Sequence, residues 1–298
     1  MNVLIAGQPQ SGSTLVFNLS RMIIEQGADI GSVGLYDKSR GWPARGRNFV
    51  NILKIHDFDQ EASQNADVVI TTVRDIRDCV VSHTRRMEKD GRGAGPWTPY
   101  YYGAWNLQCY KGWHERSDFE ARYEAVVDRP VLTVMELARA LGRRLDESAA
   151  LAIADAAQGL WSQGLPEADD PTNPKYQRTL LSLSHNTSGG RVGTHKDSDV
   201  HVDWGGFDFV FEPFLTECGY ECHPVKRDLQ NHWEVYASAI VHLLYGDLDL
   251  ARSDMEEVFR QYYDQNAPFS HFVKADRLIA DAIGRAPIIP KFLSLLTA

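Results

Sequence analysis

The first 25 residues constrain the fold more strongly than any other part of the chain. The apolar run Val3–Ala6 predicts a buried strand, and Thr14–Glu25 has the apolar spacing of a helix that ends near Gly27. Between them lies a short polar turn that contains Gly7 and Gly12. A strand, a glycine-containing turn and a helix in this order point backbone N–H groups at an anion. We therefore predict that this turn binds phosphate; the alternative is an ordinary tight connection.

The next segments predict a doubly wound sheet. Phe49–Ile55 and Asp67–Val73 have the composition of strands, and the second has continuous β-branched residues, as expected for a sheet covered on both faces. The other predicted elements are helices at 75–88, 135–141 and 146–160 and a strand within Ala125–Thr133. Asp146 is the predicted cap of the last helix. Strands that alternate with helices indicate the α/β class with a mostly parallel sheet.

The last third of the chain has a different pattern. Residues 162–210 are rich in Pro, Ser, Gly, Asn and Asp and show little periodicity. Helical patterns then return over Trp233–Tyr245, Leu250–Tyr263 and Phe272–Ile283, with no predicted strand among them. We predict a nucleotide-binding domain at 1–225 and a helical C-terminal extension at 226–298. The apolar faces of the extension either pack on the first domain or form a homodimer surface.

Composition excludes several classes of protein. The net charge of −9 argues against a nonspecific binder of nucleic acid or of anionic membranes. No apolar run approaches the roughly 20 residues of a membrane span, and the first apolar stretch lacks the basic start of a signal peptide. We expect a soluble, cytoplasmic protein with reduced cysteines. Cys218, Cys222 and His223 have no second ligand pair that would complete a metal site.

The predicted phosphate-binding turn lacks one residue. Its spacing is Gly7-x4-Gly12-Ser13-Thr14, and Ser13 stands where a nucleoside triphosphatase has its lysine. Transfer or hydrolysis of a triphosphate needs that lysine and Mg²⁺ to neutralise several negative charges. A turn without it suits a single phosphate.

Two pairs of polar residues occur where predicted strands end. Lys54 and His56 leave one strand on the same side, because side chains alternate with period two. Arg74 ends the next strand, and Ser82 lies on the helix that follows. Carboxyl ends of parallel strands are where such sheets bind ligands. The alternatives are a structural histidine and an Arg74 that pairs with Asp75 or Asp78.

Together these motifs resemble the sulfotransferases that use 3′-phosphoadenosine 5′-phosphosulfate (PAPS). Pro9-Gln10-Ser11-Gly12-Ser13-Thr14 is similar to the family's phosphate loop, and Lys54-Ile55-His56 is similar to its Lys-x-His. Arg74 with Ser82 matches the pair that holds the 3′-phosphate, and Tyr123-Glu124 matches a Tyr-Glu pair near the adenine. The segment 188–196 resembles the Gly-rich segment that closes over the 3′-phosphate. The resemblance covers about residues 1–222.

The resemblance implies transfer of a sulfuryl group from PAPS to a hydroxyl or amine, which leaves adenosine 3′,5′-bisphosphate (PAP). It implies His56 as general base and Lys54 as the cation at the leaving oxygen. The moving group carries one negative charge, so no metal is needed. The nucleotide-binding residues that it implies are Gln10, Ser11, Gly12, Ser13, Thr14, Arg74, Ser82, Tyr123, Gly190 and Arg191.

The sequence departs from the family pattern at three places. Gln10 replaces the loop lysine that contacts the leaving phosphate, so leaving-group stabilisation falls on Lys54 or on an arginine from elsewhere. Residues 188–190 replace an Arg-Lys-Gly, and Arg191 is the expected source of the missing charge. Leu15 replaces an aromatic residue that stacks on adenine.

The acceptor is expected to be a small molecule or a carbohydrate. Lys38–Arg47 is basic and suits an anionic acceptor, or it is a solvated loop. An aromatic group suits a sugar or an aromatic ring, or it belongs to the core; its members are Trp97, Tyr100, Tyr101, Tyr102 and Trp105. Two alternative functions stay open: a P-loop kinase of small molecules, and a nucleotide-binding protein with little catalytic activity.

Overall fold

The computed structural model describes residues 1–44, 49–95, 97–162, 190–197, 199–262 and 277. Its strands are β1 Asn2–Gly7, β2 Asp29–Leu35, β3 Phe49–Lys54, β4 Val68–Val73 and β5 Phe119–Arg122. They form one sheet in the order β2-β3-β1-β4-β5, and every pairing is parallel. All carboxyl ends therefore lie at one edge, and the strand order reverses across β1, the position at which open α/β sheets bind ligands.

The described helices follow the strands in the alternating order that the sequence predicts. In chain order they are α1 Ser13–Glu25, α2 Gln60–Asn65, α3 Ile76–Lys89, α4 Thr98–His114, α5 Tyr123–Asp128, α6 Pro130–Ala140, α7 Glu147–Ser162, α8 Trp204–Glu217, α9 His232–Leu244 and α10 Leu248–Tyr262. The predicted helix Phe272–Ile283 lies outside the described residues, apart from position 277.

The central strand β1 is buried on both faces. Val3 and Ile5 join one core cluster with α1, α6 and α7, and Leu4 and Ala6 join a second cluster that includes Trp113. This division follows from the period-two alternation of side chains along a strand. It explains why the strand is continuously apolar, and it fixes the position of the turn that follows Gly7.

One predicted strand is wrong. The segment Ala125–Thr133 contains the end of α5 and the start of α6, and the strand of this region is the shorter β5, at Phe119–Arg122. Pro130 occupies the first turn of α6, where its fixed φ favours a helix. A short apolar run fits a helix as well as a strand, so periodicity alone does not separate them.

The elements β2, α2 and α8 are among those not predicted from the sequence. The strand β2 contains Gly31 and Gly34, which weaken a strand pattern. The helix α8 starts at Trp204, inside the segment that showed little periodicity, and Asp203 caps it by accepting a hydrogen bond from the Gly206 N–H.

The chain divides into two compact units. The first comprises Met1–Asp90 and Cys109–Ser198 and holds the sheet; the second comprises Gly91–Gln108 and Asp199–Ala298. The second unit thus contains the predicted extension 226–298 together with two earlier segments, and its described residues form helices and loops without a strand. Among the described residues, no helix combines the length and apolar character that crossing a bilayer requires.

Candidate functional site

The turn between β1 and α1 has a backbone that requires glycine at two positions. Gly7 has φ 114° and Gly12 has φ 84°. A Cβ atom on Gly7 would lie 2.5 Å from the carbonyl oxygen of Thr72, and one on Gly12 would lie 2.5 Å from Cδ2 of Tyr123. Any larger residue at either position would therefore need a left-handed backbone and would also clash with its neighbour. The two glycines therefore set the close approach of the turn to β4 and to α5.

Hydroxyl groups hold the turn in place. Oγ of the buried Ser11 donates to the Gln8 carbonyl at 2.6 Å and lies 2.5 Å from Oγ1 of Thr72 on β4. Ser13 is buried at the start of α1, and Oγ1 of Thr14 accepts a hydrogen bond from Nζ of Lys54 at 2.9 Å. The amide groups of the turn thus lie at the first turn of a helix, where the helix dipole favours an anion.

Lys54 is buried and brings a cation to this turn. It is the last residue of β3, beside β1, which places its ammonium group against the start of α1. Burial lowers the pKa of Lys54 to about 8, and the positive charge of Arg86 on α3 adds to the effect. The group is therefore mostly protonated at neutral pH and loses its charge in mildly alkaline solution.

His56 follows two residues later and is held in one tautomer. Its Nδ1 lies 2.9 Å from the Gly7 carbonyl oxygen, which can only accept, so Nδ1 carries the proton of that hydrogen bond. Burial, and then the charge of Lys54, lower the pKa of His56 to about 3. The imidazole is consequently neutral at neutral pH, and its Nε2 is the basic nitrogen.

Arg74 and Ser82 meet at the same turn through Gln10. Arg74 follows β4 directly; its Nη1 donates to the Gln10 carbonyl at 3.2 Å and its Nη2 donates to the Arg191 carbonyl at 3.0 Å. Oγ of Ser82 donates to Oε1 of Gln10 at 3.2 Å. Arg74 also forms an ion pair with Asp78 at 3.4 Å, one of the alternatives that its spacing left open.

Tyr123 supports the guanidinium from one side. Cζ of Arg74 lies 4.2 Å from the centre of the Tyr123 ring, which is a cation–π distance. The ring is only 5% exposed and lies against Gly12. Burial raises the pKa of Tyr123, so its hydroxyl stays neutral. Tyr123 thus contacts both the turn and Arg74.

The late Gly-rich segment reaches the site in part. Ser188 and Gly189 lie outside the described residues, whereas Gly190 is buried and the side chain of Arg191 is exposed. The backbone carbonyl of Arg191 accepts a hydrogen bond from Nη2 of Arg74. The structure thus places residues 190–191 beside Arg74.

Sequence reasoning missed two polar residues of the site. Gln8 is fully buried, and its Oε1 accepts a hydrogen bond from the backbone N–H of Arg74 at 2.8 Å. The sequence offered Asp78 only as an ion-pair partner of Arg74, but its carboxylate also contacts the segment after residue 190. Asp75 caps α3 by accepting a hydrogen bond from the Arg77 N–H. Only the four-residue spacing of Arg74 and Asp78 signalled this contact.

Three buried polar atoms of Gln8, Arg74 and the segment after Gly190 have no hydrogen-bond partner in the part of the chain that the structure describes. They are Nε of Arg74, Nε2 of Gln8 and Oγ1 of Thr194. Buried donors are almost always satisfied in folded proteins. Unsatisfied donors on these residues fit the binding of an anion beside Gln8 and Arg74.

The residues of the two predicted acceptor regions make contacts within their own units. Four of the five aromatic residues, Trp97, Tyr101, Tyr102 and Trp105, are partly buried, and their rings contact one another and Trp233 within the second unit. Tyr100 is buried against Phe207. Lys38 pairs with Asp59 at 3.2 Å, while positions 45–47 of the basic stretch are outside the described residues. Across the described ranges, no group of three or more His, Cys, Asp or Glu side chains is arranged to hold a metal ion.

No protein-family model matches the sequence, and no curated protein matches it. Solved structures do match. Mouse sulfotransferase SULT7A1 complexed with PAP superposes with a TM-score of 0.52 at 15% identity, over 72% of this chain and 84% of that chain. The chain has a sulfotransferase fold. The structure of retinol dehydratase in complex with androsterone and the inactive cofactor PAP also matches, with a TM-score of 0.42 and 14% identity over 66% of this chain and 75% of that chain. The sulfotransferase fold confirms the α/β architecture predicted from the sequence.

Proposed function

We propose that this protein is a PAPS-dependent sulfotransferase that transfers a sulfuryl group to a hydroxyl, or an amine, of a small-molecule or glycoconjugate acceptor. The observation that carries the proposal is the convergence of three groups at one edge of the sheet: the glycine turn, the Lys54–His56 pair and the Arg74–Ser82 pair. Gln10 and Gly7 link all three through direct hydrogen bonds. A sulfotransferase fold supports the same conclusion.

The proposed donor is held at its two phosphates. The amides of Ser11–Thr14 and the hydroxyl groups of the turn bind the 5′-phosphate, as expected for a helix N-terminus. Arg74, Ser82 and the backbone near Gly190 and Arg191 bind the 3′-phosphate. The unsatisfied Nε of Arg74 and Oγ1 of Thr194 support a further acceptor atom at this end. The SULT7A1 structure, which shares the fold, is described as a complex with PAP, which has the same two phosphates.

The proposed reaction is a direct transfer from donor to acceptor. The acceptor oxygen forms a bond to sulfur while the bond between sulfur and the bridging oxygen of the 5′-phosphate breaks. Nε2 of neutral His56 takes the proton of the acceptor hydroxyl, and Lys54 stabilises the charge that develops on the bridging oxygen. The products are the sulfated acceptor and PAP. These two roles are proposed because His56 is unprotonated and Lys54 is mostly protonated at neutral pH.

Gln10 gives the site a neutral group where the family has a cation. Its Oε1 accepts from Ser82, so this side chain joins the turn to the 3′-phosphate end. Cationic stabilisation of the leaving group therefore falls on Lys54, with the charge of Arg86 close enough to affect both Lys54 and His56.

Two experiments test the proposal. Thermal shifts with PAP, with ATP and with ATP plus Mg²⁺ compare the ligands; a ligand at one hundred times its Kd stabilises a protein by about 2.7 kcal/mol. The proposal predicts a shift with PAP that Arg74→Ala abolishes. Preferential stabilisation by ATP plus Mg²⁺ would instead indicate a small-molecule kinase. Labelled PAPS is then incubated with a library of hydroxyl and amine acceptors, and PAP binding without any label transfer would indicate a nucleotide-binding protein that does not turn over.

A further inference from the structure

We infer that Asp78 is a positioning residue that fastens residues 190–197 to Arg74 and so sets the affinity of the site for a 3′-phosphate. The nucleotide part of this inference rests on the proposed function. The fastening itself does not depend on it, because it is a property of the ligand-free chain.

The carboxylate of Asp78 is fully buried and accepts hydrogen bonds from three places. Oδ2 accepts from Nη2 of Arg74 at 3.4 Å and from the Gly193 N–H at 2.8 Å. Oδ1 accepts from the backbone N–H of His195 at 2.9 Å and contacts Nδ1 of the same residue at 2.8 Å. A single side chain on α3 therefore joins the residue after β4 to a segment more than one hundred positions later.

The charge of Asp78 is essential to this arrangement. Burial alone would raise its pKa, but the hydrogen bonds from His195 and the positive charge of Arg74 outweigh burial and lower it to about 2. The carboxylate is thus ionised under ordinary conditions and offers two oxygens to four contacts. An asparagine has the same shape, but one of its two terminal groups is an NH2 that cannot accept a hydrogen bond.

The same contacts fix the orientation of the guanidinium. Nη2 of Arg74 is shared between Asp78 and the Arg191 carbonyl, which holds the plane of the group while the buried Nε has no hydrogen-bond partner among the described residues. Thr194, whose Oγ1 is likewise buried and unsatisfied, lies between the two residues that Asp78 holds. Loss of the carboxylate therefore disturbs two proposed phosphate donors together.

Hydrogen exchange of the ligand-free protein tests the fastening. Asp78→Asn is compared with wild type and with Asp75→Asn, a matched control in which another buried aspartate near the start of α3 loses its charge. We expect exchange of the Gly193 and His195 amides to accelerate at least about tenfold in Asp78→Asn and to be unchanged in Asp75→Asn. If Asp78→Asn does not fold, His195→Ala is used in its place. This variant removes one contact to Oδ1 of Asp78, and we expect a smaller increase in the exchange rate.

Binding of two nucleotides tests the consequence for the site. PAP carries a 3′-phosphate, whereas adenosine 5′-monophosphate does not. We expect Asp78→Asn to weaken PAP binding at least about tenfold, the effect of one lost charge-assisted hydrogen bond, and to leave binding of the monophosphate within about twofold. A general loss of structure would weaken both nucleotides alike. His195→Ala combined with Asp78→Asn should be little weaker than Asp78→Asn alone, because both remove the same contact.

The outcomes separate this inference from the proposed function. Unchanged exchange at positions 193 and 195 in a folded Asp78→Asn protein overturns the fastening. Faster exchange with equal losses for both nucleotides, or with no loss, overturns its role in 3′-phosphate recognition. Failure of the wild type to bind PAP at all refutes the proposed function and the recognition role, while the exchange result still decides the fastening.

Discussion

The buried Lys54 predicts an alkaline limit to activity. Its pKa of about 8 gives a protonated fraction of about 0.9 at pH 7 and about 0.1 at pH 9. If only the ammonium form stabilises the leaving oxygen, kcat/KM for PAPS falls about tenfold between these two pH values. His56 contributes no change in this range, because burial and the charge of Lys54 hold its pKa near 3.

The assay measures kcat/KM for PAPS from pH 6.5 to 9.5 with a hydroxyl acceptor found in the label-transfer screen. The second ionisation of a phosphate monoester lies near pH 6, so from pH 7 upward, where the alkaline limb lies, about nine-tenths or more of the donor is fully ionised. Since kcat/KM reports the ionisations of the free protein, the midpoint refers to ligand-free Lys54.

Lys54→Arg is the matched variant for this measurement. A guanidinium stays protonated throughout the range, so the alkaline limb should disappear even though the altered geometry lowers the overall rate. A wild-type profile that is flat to pH 9.5, or a limb that persists with the same midpoint in Lys54→Arg, would refute the assignment of this limb to Lys54.

Four further results are expected. His56→Ala should lower kcat by about 10²- to 10⁴-fold while the Kd for PAP, measured by calorimetry, changes less than about threefold; full turnover would remove His56 from the mechanism. In the folded protein His56 becomes protonated only near pH 3, whereas in the unfolded chain it becomes protonated below its ordinary pKa of 6.5. The free energy of unfolding therefore decreases as the pH falls from 6.5 towards 3. At pH 5 the loss is about 2 kcal/mol, and urea denaturation of His56→Asn should show a weaker pH dependence. Gly12→Ala should cost about 2 to 3 kcal/mol in the same assay, since the alanine would need φ 84° and contact Tyr123, and a smaller cost would contradict the close approach of the turn to the Tyr123 ring. Glu234→Ala should lower the free energy of unfolding by about 3 kcal/mol, because the buried carboxylate of Glu234 accepts a hydrogen bond from the guanidinium of Arg227 at 2.7 Å. Glu212→Ala, on the exposed face of α8, should lower it by less than about 0.5 kcal/mol.

The sequence predicted the parts of the fold that depend on local pattern. Strands β1, β3 and β4 are buried along most of their length, so each is rich in apolar or β-branched residues. The strand β5 has four residues, and only Ala121 is buried, so it has no such signature. The adjoining apolar residues of α5 were assigned to a strand instead, because a short apolar run does not reveal its period.

The site was predictable only where it lies close to strand ends. Lys54 is the last residue of β3 and Arg74 follows β4 directly, and parallel pairing brings these ends to one edge. Asp78 contacts residues 115 and 117 positions away, and no local pattern contains such a contact. The side chain of Gln10 was likewise assigned only by position; its hydrogen bond to Ser82 depends on tertiary packing.

The most direct test is a crystal structure of the protein with PAP. The account predicts the 5′-phosphate within hydrogen-bond distance of the amides of residues 11–14 and the 3′-phosphate against the side chains of Arg74 and Ser82. Nucleotide bound at another edge of the sheet, or with neither phosphate at these two places, would contradict it.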